Sequence, residues 1–166
     1  MTGLLGEAGG APREKFTPNY SGMDWRPFVH ANEARLLVRH ELGYMSEHVV
    51  IGKIARLFHL KGHDDVIVAA KEVIRQNQNV RFLFIGDGIL RESLQQQIDA
   101  AGLHDHFQFT GRLPPAKIPD LLRAMDLLAP AILLDGLARA LPPAPLAGTP
   151  PLSHAADSSR HACLNN

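Results

Sequence analysis

The stretch IGKIARLFHLKGHDD, residues 51–65, predicts how this chain folds. An apolar run ends at Arg56, a short loop follows, and a turn at Lys61 and Gly62 leads into a helical pattern with an acidic start. In α/β folds the carboxyl end of a strand and the amino end of the next helix lie together, and anions bind there. Two cations at this position, Arg56 and Lys61, therefore predict a site for an anion such as a diphosphate.

Strand and helix patterns alternate on both sides of this stretch. The nearly continuous apolar run at 80–85 is typical of a strand that is covered on both faces. Alternation of this kind predicts βαβ units and hence a Rossmann-like three-layer α/β sandwich with a parallel sheet. The predicted strands are 49–55, 80–85, 106–110 and 127–133, and the predicted helices are 33–42, 64–76, 90–101 and 117–125.

Prolines interrupt the alternation toward the carboxyl end. Three prolines at 142–145 fall where the next helix is expected, and an interior proline costs a helix about 3 kcal/mol. Two more at 150–151 oppose a central strand. We therefore expect the sheet to be incomplete at its carboxyl end, with an unpaired edge near residues 127–134.

The length of 166 residues predicts one domain. We expect a flexible leader at 1–18, the α/β domain at 19–150 and a disordered tail at 151–166. Because 17 basic residues balance 17 acidic ones, charge favours neither nucleic acid nor an anionic membrane as a partner. No apolar run reaches the roughly 20 residues of a transmembrane helix. The single Cys163 fits a reducing, cytoplasmic location.

Two further turns rich in glycine follow the predicted second and third strands. They are Gly86-Asp87-Gly88 and Gly111-Arg112. Since parallel strands end at the same edge of a sheet, both turns should lie beside the predicted anion site. Glycine at alternate positions is weak evidence for a nucleotide site and equally fits a tight turn. Arg112 equally fits a solvated surface cation, as Arg56 and Lys61 do on spacing alone.

Taken in order, these segments resemble the carboxyl-terminal, donor-nucleotide-binding domain of a family 4 glycosyltransferase. Such enzymes have the GT-B fold of two Rossmann-like domains. The resemblance covers roughly residues 19–150, and the order and spacing of the motifs carry it. The motifs are YSGMD (20–24), IARL (54–57), KGH (61–63), FIGDG (84–88), FTG (109–111), MDL (125–127), DGL (135–137) and AGTP (147–150).

The resemblance implies a retaining transfer of a sugar from a UDP-, GDP- or ADP-linked donor to an acceptor. Arg56 and Lys61 match the cations that hold the donor diphosphate, where they stabilise the charge of the leaving group. Gly136 and Leu137 match a helix start whose backbone N–H groups bind the same anion. Because these groups neutralise the diphosphate, the family usually needs no metal, and we expect no cofactor.

The remaining site residues also follow from the resemblance. Gly86, Asp87 and Gly88 match a loop near the nucleotide, and Gly111 and Arg112 lie where the family binds the base. Asp135 matches the first of two acidic residues eight positions apart, where it would contact the sugar. Asp135 is shorter than the usual glutamate, and the second acidic position is occupied by Pro143, which has no side-chain acceptor.

The expected partners depend on how much of the enzyme the chain represents. Only about 20 residues precede the resemblance, so we expect a truncated chain with the donor half and a separate acceptor-binding domain or subunit. The alternative is a non-catalytic nucleotide-sugar-binding remnant, or a subunit of a split enzyme. Peripheral attachment to a membrane stays open. A dehydrogenase fits less well because no Gly-x-Gly-x-x-Gly follows the first strand. His59 and His63 straddle a loop, which disfavours a metal pair.

Overall fold

The computed structural model describes residues 24–29, 33–129 and 143–152. The helices are α1 (Arg26–Val29), α2 (Glu33–Glu41), α3 (His63–Gln76), α4 (Arg91–Ala100), α5 (Ile118–Ala124) and α6 (Pro143–Leu146). The strands are β1 (Val49–Ile54), β2 (Val80–Ile85), β3 (Phe107–Gly111) and β4 (Leu127–Leu128). Short 3₁₀ turns lie at His104–His106 and Pro115–Lys117.

The four strands form one parallel sheet in the order β3-β2-β1-β4. β1 and β2 pair along their whole length, from Val49 opposite Val80 to Ile54 opposite Ile85. Parallel neighbours need crossover connections, and α3 and α4 supply those between β1, β2 and β3. The predicted parallel α/β sheet is confirmed.

Side chains of β2 alternate between two hydrophobic cores, one on each face of the sheet. Phe82 and Phe84 belong to the core that α3 and α4 cover. Leu83 and Ile85 belong to the core that α5 covers. Because both faces of β2 are buried, its sequence reads as a continuous apolar run, and its observed bounds are those predicted. The three layers of the predicted sandwich are therefore present.

The sheet continues beyond β4 despite the prolines. The backbone N–H of Leu128 donates to the Pro150 carbonyl at 3.0 Å, and the Leu152 N–H donates to the Leu128 carbonyl at 2.7 Å. The predicted unpaired edge is therefore wrong at Leu128. Proline lacks an N–H but keeps its carbonyl, so a segment can pair along one side through Pro150 and Leu152. No helix of the described part of the chain is long and apolar enough to cross a membrane.

The junction between α5 and β4 is held by one carboxylate. Asp126 accepts hydrogen bonds from Arg35 at 2.5 Å, from Arg39 at 3.0 Å and from the Val50 backbone N–H at 2.8 Å. Burial raises the pKa of Asp126, but these hydrogen bonds outweigh burial and hold the pKa below its usual value. Arg39 is itself buried and also donates to backbone carbonyls of Ala124, Met45 and His48.

Replacing Asp126 with alanine is expected to lower the free energy of unfolding by about 2–3 kcal/mol. The reason is that the Arg39 guanidinium would stay buried without its carboxylate. Glu72→Ala is the matched control, because it breaks the exposed Glu72–Arg75 ion pair and should cost far less. Urea denaturation of both variants measures the difference. Equal costs would contradict the role assigned to Asp126.

Candidate functional site

The predicted cations Arg56 and Lys61 lie in the loop that joins β1 to α3. Arg56 is exposed, and its guanidinium carbon lies 5.1 Å from the centre of the Phe58 ring. Lys61 is partly buried one residue before Gly62, whose φ of 65° turns the chain into α3. The structure thus places both cations between the carboxyl end of β1 and the amino end of α3. The positive end of that helix dipole adds to their field.

The same loop contains a backbone conformation that side chains rarely adopt. Leu60 has a φ of 65° and is, among the residues the structure describes, the one non-glycine with positive φ. A residue of this kind costs about 1–3 kcal/mol and persists where its surroundings hold it. Such strain is concentrated at functional sites, and here it lies directly beside Lys61.

The glycine turn after β2 packs directly on the Arg56 loop. The Leu57 N–H donates to the Asp87 carbonyl at 3.0 Å, and the Leu90 N–H donates to the Leu57 carbonyl at 3.0 Å. A Cβ atom at Gly86 would collide with the Ala55 carbonyl oxygen, and one at Gly88 would collide with that of Leu57. The glycines are therefore needed for the close approach of the two loops, which fixes the backbone that carries Arg56.

The turn after β3 joins the same edge of the sheet. The Gly86 N–H donates to the Gly111 carbonyl at 3.0 Å, and the Arg112 side chain is exposed. Asp87 is exposed as well, and its carboxylate accepts a hydrogen bond from the Gly88 N–H at 2.8 Å. Seven predicted site residues thus come together at one edge: the cations Arg56 and Lys61, and the nucleotide-side residues Gly86, Asp87, Gly88, Gly111 and Arg112. Asp135, Gly136 and Leu137 lie outside the described residues.

Two buried polar residues lie next to this edge: Lys53 was not singled out from the sequence, and His63 was considered as a metal ligand only. Lys53, on β1, is fully buried, and burial is the main cause that lowers its pKa to about 7. Repulsion from Lys61 lowers the pKa further, whereas Asp65 opposes the shift. A lysine inside an apolar strand pattern was the signal available in the sequence.

His63, the first residue of α3, is the second of these residues. Its ring packs edge-on against Phe84, with 5.2 Å between the ring centres. Within residues 33–129 and the other described ranges, neither ring nitrogen has a hydrogen-bond partner. Burial first, and then the charge of Lys53, lower the pKa of His63 to about 4. The imidazole is therefore neutral at pH 7.

The two histidines near this edge differ in burial. His59 is exposed, whereas His63 is buried at the start of α3, against Phe84. The described part of the chain contains no group of three His, Cys, Asp or Glu side chains that would hold a metal ion. The expectation that the site works without a metal stays a prediction.

The chain belongs to the group 1 glycosyl transferases, whose family model matches residues 38–166. It is 37% identical over 101 residues to the 2-deoxystreptamine glucosyltransferase of Streptomyces kanamyceticus, a match that covers 61% of this chain and 26% of that protein. It is 33% identical over 139 residues to the 2-deoxystreptamine N-acetyl-D-glucosaminyltransferase of Streptomyces fradiae, which covers 82% of this chain and 32% of that protein.

Solved structures of the same fold include HepE from Anabaena in complex with UDP. That structure matches with a TM-score of 0.85 and 26% identity over 96% of this chain and 44% of HepE. The complex of HepE with UDP-glucose matches with the same TM-score at 25% identity. The chain spans about a third or less of the length of the two Streptomyces relatives.

Gly86→Ala is expected to destabilise the fold by at least about 2 kcal/mol more than Gly102→Ala. Both glycines have positive φ, but the added methyl group meets open space at Gly102 and the Ala55 backbone at Gly86. Gly102, at φ 68°, lies in the left-handed region that alanine can adopt at modest cost, so the excess cost at Gly86, at φ 145°, contains both backbone strain and the packing of the two loops. Thermal and urea unfolding measure the difference, and equal costs would show that the loops do not depend on each other.

The stability of the protein should rise with pH above 7 because of Lys53. Its pKa is about 7 in the folded state against 10.5 for a free lysine, so the unfolded state binds more protons between these values. The free energy of unfolding should therefore increase by about 2 kcal/mol between pH 7 and pH 9. Lys53→Met should remove this gain. If the free energy of unfolding changed equally with pH in the parent chain and in Lys53→Met, the lowered pKa of Lys53 would be contradicted.

Proposed function

We propose that this chain is the donor half of a retaining glycosyltransferase that uses a nucleoside diphosphate sugar. Arg56 and Lys61 hold the diphosphate. The observation that carries the proposal is their position in one loop, between the end of β1 and the start of α3, braced by the glycine turn of β2. Family membership and the likeness to HepE, solved with UDP and UDP-glucose, support it.

The charge of the site suits a leaving diphosphate. When the bond between sugar and phosphate breaks, negative charge grows on the phosphate oxygens. Fixed cations at this place stabilise the transition state more than the bound substrate, because they need no reorganisation during the reaction. Arg56 can bind two oxygens through its planar guanidinium, and Lys61 acts as a point charge. Neutralisation by these groups makes a metal unnecessary.

The other residues of the proposed site follow from the resemblance. Asp135 contacts the hydroxyl groups of the donor sugar, and the N–H groups of Gly136 and Leu137 bind the diphosphate. The turn at 86–88 borders the nucleotide, and Gly111 and Arg112 lie beside the base.

UDP is the nucleotide best supported. The two HepE complexes contain UDP and UDP-glucose, and they match 96% of this chain. A GDP-mannose-dependent mannosyltransferase of Corynebacterium glutamicum is 30% identical over 110 residues, which makes GDP the competing choice. ADP is the third choice.

In this proposal the protein acts on nucleotide sugars in the cytoplasm. Its partner is an acceptor-binding domain or subunit, and peripheral attachment to a membrane is compatible with this role.

A second candidate function is binding of a nucleotide sugar without transfer, by a remnant or by one subunit of a split enzyme. Pro143 favours it. This residue is buried at the start of α6, where a proline is tolerated because the first helical N–H needs no partner. The resemblance places a ribose-binding carboxylate at the same position, and proline cannot replace that acceptor.

Binding of UDP, GDP and ADP to the purified chain tests the proposed donor site. We expect saturable binding of UDP by calorimetry, and each of Arg56→Ala and Lys61→Ala should raise Kd by about tenfold or more. A hydrogen bond to a charged group contributes about 1.5–3 kcal/mol, which corresponds to that change. Lys71→Ala, which removes an exposed lysine in the middle of α3, is the matched control and should bind as the parent chain does.

Donor hydrolysis and sugar transfer distinguish the two candidate functions. Binding without turnover, alone or with an added acceptor-binding partner, would favour the remnant. Turnover that appears only on mixing would favour a split enzyme. Absence of binding to all three nucleotides, with the chain folded, would overturn the proposed donor site.

A further inference from the structure

A cavity lies at the opposite end of the sheet from Arg56. It has a volume of about 240 Å³ and lies where the chain enters β1, β2 and β3. In a parallel sheet the amino ends of the strands share one edge, so this cavity is separated from the carboxyl edge by the length of the strands. Its lining includes Gly43, Tyr44, Arg81, Asp105, His106 and Gln108.

Arg81 is held rigidly at this cavity by only part of its guanidinium. Its Nη1 atom donates to the carbonyls of Gln78 at 2.8 Å and Val80 at 2.9 Å, and lies 3.2 Å from Nδ1 of His106. The Nε and Nη2 atoms have no hydrogen-bond partner among the residues that the structure describes. These two atoms form the edge with which an arginine binds both oxygens of a carboxylate.

Two other arginines of this protein show what that edge does. Arg26 binds Asp24 through Nε at 2.8 Å and Nη2 at 3.0 Å. Arg75 binds Glu72 in the same way, at 2.9 Å and 2.7 Å. Arg81 thus presents, in a fixed orientation, an edge that elsewhere in the described chain binds an oxyanion.

Tyr44 adds a second donor. Its hydroxyl is buried and has no hydrogen-bond partner within the described residues. Burial raises the pKa of this phenol, so it stays protonated and can donate. A buried hydroxyl without a partner costs about 1–3 kcal/mol, and an acceptor that reaches it would offset this cost.

Arg81 is the cation of this cavity, Asp105 is part of the lining, and Glu47 lies within electrostatic reach of Arg81. The carboxylates of Glu47 and Asp105 are exposed and have other partners, Ser46 for the first and His104 for the second. Burial, and then the charge of Arg81, lower the pKa of His48. The second nearby imidazole, His106, lies with Nδ1 2.9 Å from the Val80 carbonyl. Neither acidic group is therefore bound to Arg81.

We propose that this cavity binds a small oxyanion, a carboxylate or a phosphate group, held by the Nε–Nη2 edge of Arg81 and the hydroxyl of Tyr44. All three groups donate hydrogen bonds and none is an anion, which favours an anionic ligand at these atoms. The site is independent of the proposed donor site, and a ligand bound here leaves the carboxyl edge of the sheet open.

Titration of the full 166-residue chain with inorganic phosphate, and separately with acetate, tests this proposal by two-dimensional amide NMR at constant ionic strength. With at least one of the two anions, we expect the amide chemical shifts of Gly43, Tyr44 and Gln108 to change and to saturate at millimolar anion concentrations. The anion that produces these changes identifies the class of ligand. Phosphate can also bind near Arg56. The amides of residues 56–62 therefore report separately on the donor site.

Variants assign the binding to the proposed donors. Tyr44→Phe keeps the ring and removes an unpartnered hydroxyl, so the fold should persist while Kd rises by about 2–10-fold. Arg81→Lys keeps the charge but loses the two-atom edge, and Kd should rise by about tenfold or more. Arg75→Lys, at an exposed arginine of α3, is the matched control and should leave Kd unchanged.

Three results would overturn the proposal. One is the absence of saturable shifts at the cavity with either probe, which would mean that it holds water alone. Another is phosphate binding confined to residues 56–62. The last is a Kd at the cavity that neither Tyr44→Phe nor Arg81→Lys changes.

Discussion

The close approach of the loops after β1 and β2 is the constraint on which the candidate site depends. Gly86 and Gly88 lie against the carbonyl oxygens of Ala55 and Leu57, where no side chain fits. The two loops also exchange backbone hydrogen bonds through Leu57. The position of Arg56 is therefore set by backbone packing between neighbouring strands, which is more rigid than a position set by a long side chain. A fixed backbone at Arg56 limits the reorganisation that its exposed side chain needs when charge develops on a bound group.

Contacts in the middle of the domain hold β1, the strand that leads to Arg56, in place. A side chain at Gly52 would collide with Met125, so β1 lies directly against the end of α5. The next residue, Asp126, binds the N–H of Val50 and two arginines of α2. β1 is thus fixed at its start by the Asp126 contacts and at its end by the glycine loop. The cation loop extends from a strand that is constrained along its whole length.

The parts of the fold that depend on local patterns were predictable from sequence. The bounds of β2 follow from its apolar run, and α3 follows from the spacing of Val66, Ile67, Ala70 and Ile74 on its buried side. Pairing of Pro150 and Leu152 with Leu128 was not predictable, because it depends on which carbonyl and N–H groups remain beside a proline. Local patterns report propensity, whereas such pairing depends on residues that are distant in the chain.

Some features of the candidate site were also predictable from sequence, and others were not. The position of Arg56 and Lys61 follows from the strand, loop and helix order in residues 51–65. The burial of Lys53 and His63 does not, because it depends on how α3 covers Phe84 of the neighbouring strand. The reason for the glycines also differed from expectation. The sequence suggested a nucleotide loop, and the structure adds a packing requirement between two loops.

A crystal structure of the chain with UDP tests the central claim most directly. The account predicts that the diphosphate lies at the carboxyl edge of the sheet, with its oxygens about 3 Å from the Arg56 guanidinium and the Lys61 amine. UDP bound elsewhere, or bound at this edge without contact to either cation, would contradict the assignment of these two residues to the donor diphosphate.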